Sequence, residues 1–163
     1  MTTGPSAEDI KALRTIVGDK GLLEAGADLA VYESCVRYGR GKAAFVVRPA
    51  SSKETSQVLA YCQAQGISLV PQSGNTGLVG ASTPDQSGTQ GVLSFDRLIS
   101  TENTDQIGQV DKILFDEENR SVTVGAGVHL SDLNAFLEPK GYVFPIDLGA
   151  DPRIGGMIAT NTG

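Results

Sequence analysis

At 163 residues, 40% hydrophobic and 20% charged, the chain has the composition of a globular protein with one sizeable core, so a single domain is the first expectation. Its 19 acidic and 13 basic residues leave a net charge of −6, which argues against a nucleic-acid surface but not against a buried pyrophosphate held by backbone dipoles. No apolar run approaches the length of a membrane span, and the opening M-T-T-G-P-S-A-E-D has neither the basic segment nor the apolar core of a signal or transit peptide.

The first helix is predicted to follow Ser6, which caps it. Glu8 and Asp9 suit its N-terminal dipole, Ile10, Leu13, Ile16 and Val17 form its apolar stripe, and Gly18 ends it. From Asp19 to Gly41 the sequence is mixed, with Tyr32, Tyr38 and the basic residues Arg37, Arg40 and Lys42. Cys35 and Cys62 stand in unlike contexts, which fits reduced thiols and a cytoplasmic location. Ala44 to Val47 is a short β run closed by Arg48-Pro49. Ser51 to Glu54 matches a capping box, and the helix it opens runs to Gln65 and stops at Gly66. Ile67 to Val70 is a second strand. The strand-helix-strand pattern predicts the two strands as an adjacent parallel pair.

Pro71 to Gly80, P-Q-S-G-N-T-G-L-V-G, follows that strand and spaces Gly74, Gly77 and Gly80 by three. Ligands in such units sit at the carboxyl ends of strands, where this loop begins. Glycines allow positive φ, expected here at Gly77, and let successive N–H groups turn inward as a nest for an anion. Ser73, Asn75 and Thr76 add small polar side chains. The spacing is not the G-x-G-x-x-G of a dinucleotide fingerprint, and no lysine follows as in a Walker loop.

After Pro84 the chain is polar until Val92 to Phe95, a further strand, and Arg97 to Val110 carries few signals. Lys112 to Phe115 and Ser121 to Val124, joined by Asp116 to Asn119, read as a hairpin. Gly125-Ala126-Gly127 leads to a helix from Ser131 to Glu138. This is a near miss to the dinucleotide fingerprint: the third glycine and the following acidic residue are absent. His129, the single histidine, reads as a surface or capping residue, and no metal-ligand spacing surrounds it. The second glycine-rich stretch, F-P-I-D-L-G-A-D-P-R-I-G-G-M-I-A-T-N-T-G, spans Phe144 to Gly163. Its small residues leave backbone able to press against a flat ligand.

These two stretches, in this order, resemble those of the vanillyl-alcohol oxidase type of FAD-binding domain. Within that group the chain is most similar to the FAD-linked D-2-hydroxyacid dehydrogenases, whose loop reads close to P-x-G-G-N/G-T-G-L-x-G-G and whose second segment reads P-x-D-x-G-x…I-G-G-x-x-A-x-N-x-G. Y-x-x-x-x-R-Y-G-R-G before the first strand resembles the family as well. The sequence departs from the pattern at Ser73 and Ala81, where the family usually has glycine.

The resemblance implies an α+β fold of the FAD-binding PCMH type with two subdomains, a small parallel or mixed sheet and a larger, mostly antiparallel sheet with helices, the flavin lying between them. Residues 1–31 would be a helical lead-in and 32–163 the FAD-binding domain. It implies FAD contacts from Pro71, Gln72, Ser73, Gly74, Asn75, Thr76, Gly77 and Leu78, mainly through backbone N–H groups. Asp147, Gly155, Gly156, Ala159, Thr160 and Asn161 would contribute from the second stretch, Gly155 and Gly156 approaching the pyrophosphate and isoalloxazine. The FAD would be non-covalent, since the loop holds no histidine or cysteine. The reaction implied is oxidation of a 2-hydroxy acid (D-lactate, glycolate or D-2-hydroxyglutarate class) to the 2-oxo acid. The alternatives are a sugar-acid or alcohol oxidase on the same scaffold, or a non-catalytic binding module. The family's third flavin segment and its substrate domain, where a divalent metal has its place, are not in this sequence. No residue here is nominated as catalytic or as a metal ligand, the piece alone is expected to be inactive, and Ile154, Met157 and Ile158 are expected to be exposed. The resemblance identifies neither the electron acceptor nor the oligomeric state, and implies no nucleic-acid partner.

Overall fold

The computed structural model describes residues 4–24, 29–35, 37, 39–101 and 113–162. The chain forms two compact units, Met1–Thr101 and Glu102–Gly163.

The first unit opens with α1 (Ala7–Val17), closed at its N-terminus by a full capping box. The Asp9 N–H donates to Ser6 Oγ at 3.2 Å, and the Ser6 N–H donates back to the Asp9 carboxylate at 2.8 Å. Short β1 (Leu22–Leu23), α2 (Ala30–Glu33), β2 (Ser34–Cys35) and β3 (Gly39–Arg40) follow, β2 and β3 pairing antiparallel. Next come β4 (Phe45–Val47) and α3 (Ser52–Gln65). The Glu54 N–H donates to Ser51 Oγ at 3.1 Å, Glu54 in turn accepts from the Ala50 N–H at 2.7 Å, and Gly66 ends the helix in the left-handed conformation. β5 (Leu69–Gln72), β6 (Gly91–Ser94) and α4 (Asp96–Thr101) complete the unit.

The sheet order is β1-β4-β6-β5, with β1 antiparallel to β4, and β4 and β5 both parallel to β6. The strands before and after α3 are therefore parallel but not adjacent, a correction to the sequence reading: β6 lies between them. Every residue of β6 is buried, as a central strand requires, whereas β5 carries Pro71 and forms the edge. Gly91 makes the central position available. A Cβ there would stand 2.2 Å from the Phe45 ring.

Alternation along the strands builds two apolar layers. Phe45, Val47 and Leu93 pack with Leu13 and Val17 of α1 and Val58 and Cys62 of α3, while Val46 and Val92 pack with Leu29 and Ala43. The lead-in helix α1 thus shares the core of the sheet. Arg97 links α4 to the end of α1 and to the residue after β4, donating to the Val17 carbonyl at 2.9 Å and the Arg48 carbonyl at 3.3 Å.

In the second unit β7 (Leu114–Asp116) and β8 (Ser121–Thr123) form the expected hairpin, followed by α5 (Leu130–Leu137), a 3-10 turn over Glu138–Lys140 and α6 (Ile154–Ala159). Asp116 fixes the hairpin's turn by accepting from Asn119. Val128, Leu133, Leu137, Ile154 and Met157 form the core. Among the described residues the hairpin is the whole of the antiparallel sheet in this unit; much of Arg97 to Val110 and the start of Lys112 to Phe115 fall outside them.

Candidate functional site

The glycine loop leaves the carboxyl end of β5 two residues later than the sequence suggests. Pro71 and Gln72 are strand residues, in register with Leu93 and Ser94, and the loop proper begins at Ser73. Proline fits because β5 is an edge. Gln72 is buried, and its Nε2 donates to the carbonyls of Tyr32 (2.9 Å) and Ser82 (2.8 Å). Asn75 Nδ2 donates to the Ser34 carbonyl at 2.8 Å and to the Val31 carbonyl at 3.4 Å, while its Oδ1 accepts from Ser82 Oγ at 2.9 Å. The Cys35 thiol lies 3.8 Å from the Gly77 carbonyl.

Positive φ falls on Asn75 (50°) and Gly80 (73°), and not on Gly77. The expectation of a left-handed Gly77 is corrected: asparagine takes that role, helped by the side-chain bonds that hold it. What Gly77 provides is room, since a Cβ added there meets nothing within 4 Å. Among the described residues, no main-chain N–H from Ser73 to Val79 donates to a protein acceptor. Ser73 Oγ is buried and has no partner. A run of donors that the fold does not use, beside open space, suits an anionic ligand bearing several acceptor oxygens. FAD, with its pyrophosphate, fits this donor set. Leu78 and Val79, 53% and 60% exposed, form the loop's apolar shoulder.

The second stretch is built differently. Residues 151–155 lie along the turn that precedes α5: the Leu130 N–H donates to the Pro152 carbonyl (3.0 Å), Ile154 to Val128 (2.9 Å) and Gly155 to Ala126 (2.8 Å). Arg153 Nη1 donates to the Gly127 carbonyl at 2.7 Å. Asp151 caps α5 from twenty residues away, accepting from the Ser131 N–H (3.0 Å) and Ser131 Oγ (2.8 Å). Those bonds, first the main-chain one, hold its carboxyl below the usual carboxylate range. His129, at the N-cap of α5, has Nδ1 3.0 Å from the Asp151 carbonyl and 3.4 Å from its carboxylate. It is a boundary residue, as its place in the sequence suggests. The first two N–H groups of α5, on Leu130 and Ser131, are taken up within the chain by Pro152 and Asp151, beside the Gly125-x-Gly127 near miss.

Gly155 is small for an internal reason: a Cβ would stand 2.8 Å from Ala126 Cβ and 3.0 Å from its carbonyl oxygen. Gly156 faces open space. Thr160 Oγ1 donates to the Gly156 carbonyl at 2.9 Å, and Asn161 has φ 50°. Asp147 and Ala159 are exposed. Of the three apolar positions expected at the surface, Ile154 and Met157 are buried in the unit's core and only Ile158, 76% exposed, is at the surface. Beside them Val122, Phe144, Ile146, Met157, Ile158 and Asn161 line an apolar cleft of about 390 Å³. Among the described residues no three His, Cys, Asp or Glu side chains come together as metal ligands.

The first stretch therefore gathers Ser73 to Leu78 around unused donors, and the second gathers Gly155 to Asn161 around α6. Sequence reading missed the carbonyl acceptors Val31, Tyr32 and Ser34, the hydroxyl of Ser82 and the capping Asp151. Acceptors on the main chain leave no signature in the letters. Asp151 does leave one: an acidic residue directly before Pro152, the Asp-Pro pair that marks a turn.

The chain is 35% identical over 163 residues to a probable mitochondrial D-2-hydroxyglutarate dehydrogenase of Oryza sativa subsp. indica, covering 97% of this chain and 26% of that protein. It is 34% identical over 161 residues to the mitochondrial D-2-hydroxyglutarate dehydrogenase of Arabidopsis thaliana, covering 96% and 26%. A putative mitochondrial D-lactate dehydrogenase of Schizosaccharomyces pombe is 34% identical over 169 residues, with 97% and 30% covered. The chain thus spans roughly a quarter to a third of the length of these relatives. A solved structure of alkyldihydroxyacetonephosphate synthase superposes with TM-score 0.63 at 17% identity, covering 96% of this chain and 29% of that one, and shares the α+β PCMH-type fold. The model of the FAD binding domain family matches residues 43–163, both glycine-rich stretches included, and the chain belongs to that family.

Proposed function

We propose that this chain is the FAD-binding part of a dehydrogenase that oxidises a D-2-hydroxy acid to the 2-oxo acid. The observation that carries the reading is the unused donor run from Ser73 to Val79 at the carboxyl end of β5. The relatives named for D-2-hydroxyglutarate and D-lactate supply the substrate class. Bound FAD supplies the hydride acceptor, and this part of the protein supplies binding, orientation and electrostatics. The main-chain N–H groups of Gly74, Asn75, Thr76 and Gly77 hold the pyrophosphate. Small Gly77 lets the backbone approach it. From the second stretch Gly156, Thr160 and Asn161 offer backbone and side chain to the flavin. Gly155, whose N–H and packing are committed to Ala126, keeps that backbone in place.

Retention is non-covalent, because the loop carries no histidine or cysteine. No residue of this chain is assigned as the general base that takes the hydroxyl proton. Cys35 and Cys62 are thiols, which fits a reducing compartment; the cytoplasm and the mitochondrial matrix both qualify, and fractionation separates them.

The test uses the full-length protein. It is expected to purify yellow, to release intact FAD on acid precipitation, and to reduce an artificial acceptor dye with D-2-hydroxyglutarate or D-lactate. Protein that carries no flavin and takes up none when supplied with FAD would overturn the proposal.

A further inference from the structure

Behind the loop, the side chains of Gln72, Asn75 and Ser82 form a hydrogen-bonded clasp whose acceptors lie mostly on one short segment, Val31 to Ser34. Gln72, 3% exposed, commits both amide hydrogens to the carbonyls of Tyr32 and Ser82. Asn75 commits its own to Ser34 and, over a longer 3.4 Å, to Val31, and accepts from Ser82 Oγ. The Cys35 thiol adds its contact with the Gly77 carbonyl. The segment is held from its far side too. The Gly41 N–H donates to the Glu33 carbonyl at 2.7 Å, the Ala43 N–H donates to Glu33 Oε1 at 2.9 Å, and Ser34 and Cys35 pair with Arg40 and Gly39. The Gln72 and Asn75 amides therefore face inward onto fixed carbonyls, while the main-chain donors from Ser73 to Val79 stay unused. At φ 50° glycine would be the easier residue, so an asparagine at position 75 points to work done by its side chain.

We propose that Gln72 and Asn75 are positioning residues for the flavin, acting through the backbone: they anchor the loop to the Val31–Cys35 segment and so fix the N–H array before FAD arrives. This rests on the reading of the loop as the pyrophosphate site. A preorganised cradle loses less conformational freedom on binding, so the clasp contributes to affinity without touching the ligand.

Asn75→Gly in the full-length protein separates side chain from conformation, since glycine keeps the positive φ and loses the clasp. Titrating the flavin-free protein with FAD, followed by flavin fluorescence, is expected to show affinity weakened about tenfold or more, two or three hydrogen bonds being lost. The circular dichroism of the bound flavin should change as well, which a simple loss of stability would not produce. Ser82→Ala, deleting one hydroxyl, should weaken FAD about fivefold. Tyr61→Phe, which removes a remote bond to Asp9, should leave FAD affinity unchanged and controls for stability. Asn75→Gly with wild-type affinity and an unaltered flavin spectrum overturns the inference and leaves the proposed function standing. Should that variant fail to fold, Ser82→Ala decides in the same way. A wild-type protein that binds no FAD at all overturns the proposed function itself.

Discussion

The two glycine-rich stretches look alike in sequence and are opposite in construction. Around Gln72 to Val79 the Gln72 and Asn75 side chains are tied to the protein and the main-chain donors from Ser73 to Val79 are idle. Around Gly125 to Val128 and Arg153 to Gly155 the main chain is tied to itself, Ile154 and Gly155 donating strand-like to the carbonyls of Val128 and Ala126, and one glycine is needed because Ala126 sits against it. Both stretches match one family model. A glycine in a cofactor segment therefore has two separable reasons to be there: room for the ligand, or room for the fold. Where its N–H goes and what a Cβ would meet tell them apart.

The sharpest way to break this contrast is a pair of matched substitutions. Gly77→Val adds bulk into open space at a negative φ, so the flavin-free protein should keep its stability within about 0.5 kcal/mol. FAD affinity should fall about a hundredfold, equivalent to about 2.7 kcal/mol. Gly155→Val drives bulk into Ala126 and should destabilise the flavin-free protein by about 1–3 kcal/mol, read by urea denaturation. If Gly77→Val unfolds the protein, or Gly155→Val leaves its stability unchanged, the division of roles between the two glycines is wrong.

A smaller effect sharpens the second region. The Asp151 carboxyl titrates below its ordinary value of 3.8 because Ser131 donates to it. The native state then binds that proton less tightly than the unfolded chain. Its contribution is complete above the ordinary value and is lost as pH falls through the lowered native value. In Asp151→Asn the acid limb of the stability-against-pH curve should be flatter than in wild type. A limb of unchanged slope would show that the cap is not formed in solution.

Much of the fold was legible because local rules act within a few residues. The Ser6 cap, the Ser52–Gln65 helix between its Ser51 cap and left-handed Gly66, and the hairpin around Asp116–Asn119 follow from residues that touch each other. Strand order was not, because it is settled by long-range packing. Even so, Pro71 inside a β run marks an edge, and the apolar, uninterrupted Val92-Leu93 marks a centre; read together they place β6 between β4 and β5. At the site, the loop's location was readable from glycine spacing after a strand. Which residue takes positive φ was not, since Asn75 is fixed by carbonyls more than forty residues earlier in the chain. Gly155 and Gly156 read identically as letters, and only the position of Ala126 separates them.

Hydrogen exchange of the full-length protein with and without FAD puts the donor run to the most direct test. Peptides covering 73–79 should exchange fast in the flavin-free protein, having no internal acceptors, and become strongly protected when FAD is added. The amides of Val128, Leu130, Ile154 and Gly155, which donate within the chain, should be protected already and change little. Protection of 73–79 before FAD is added, or FAD-induced protection confined to the second stretch, would contradict the assignment of the first loop as the anion cradle.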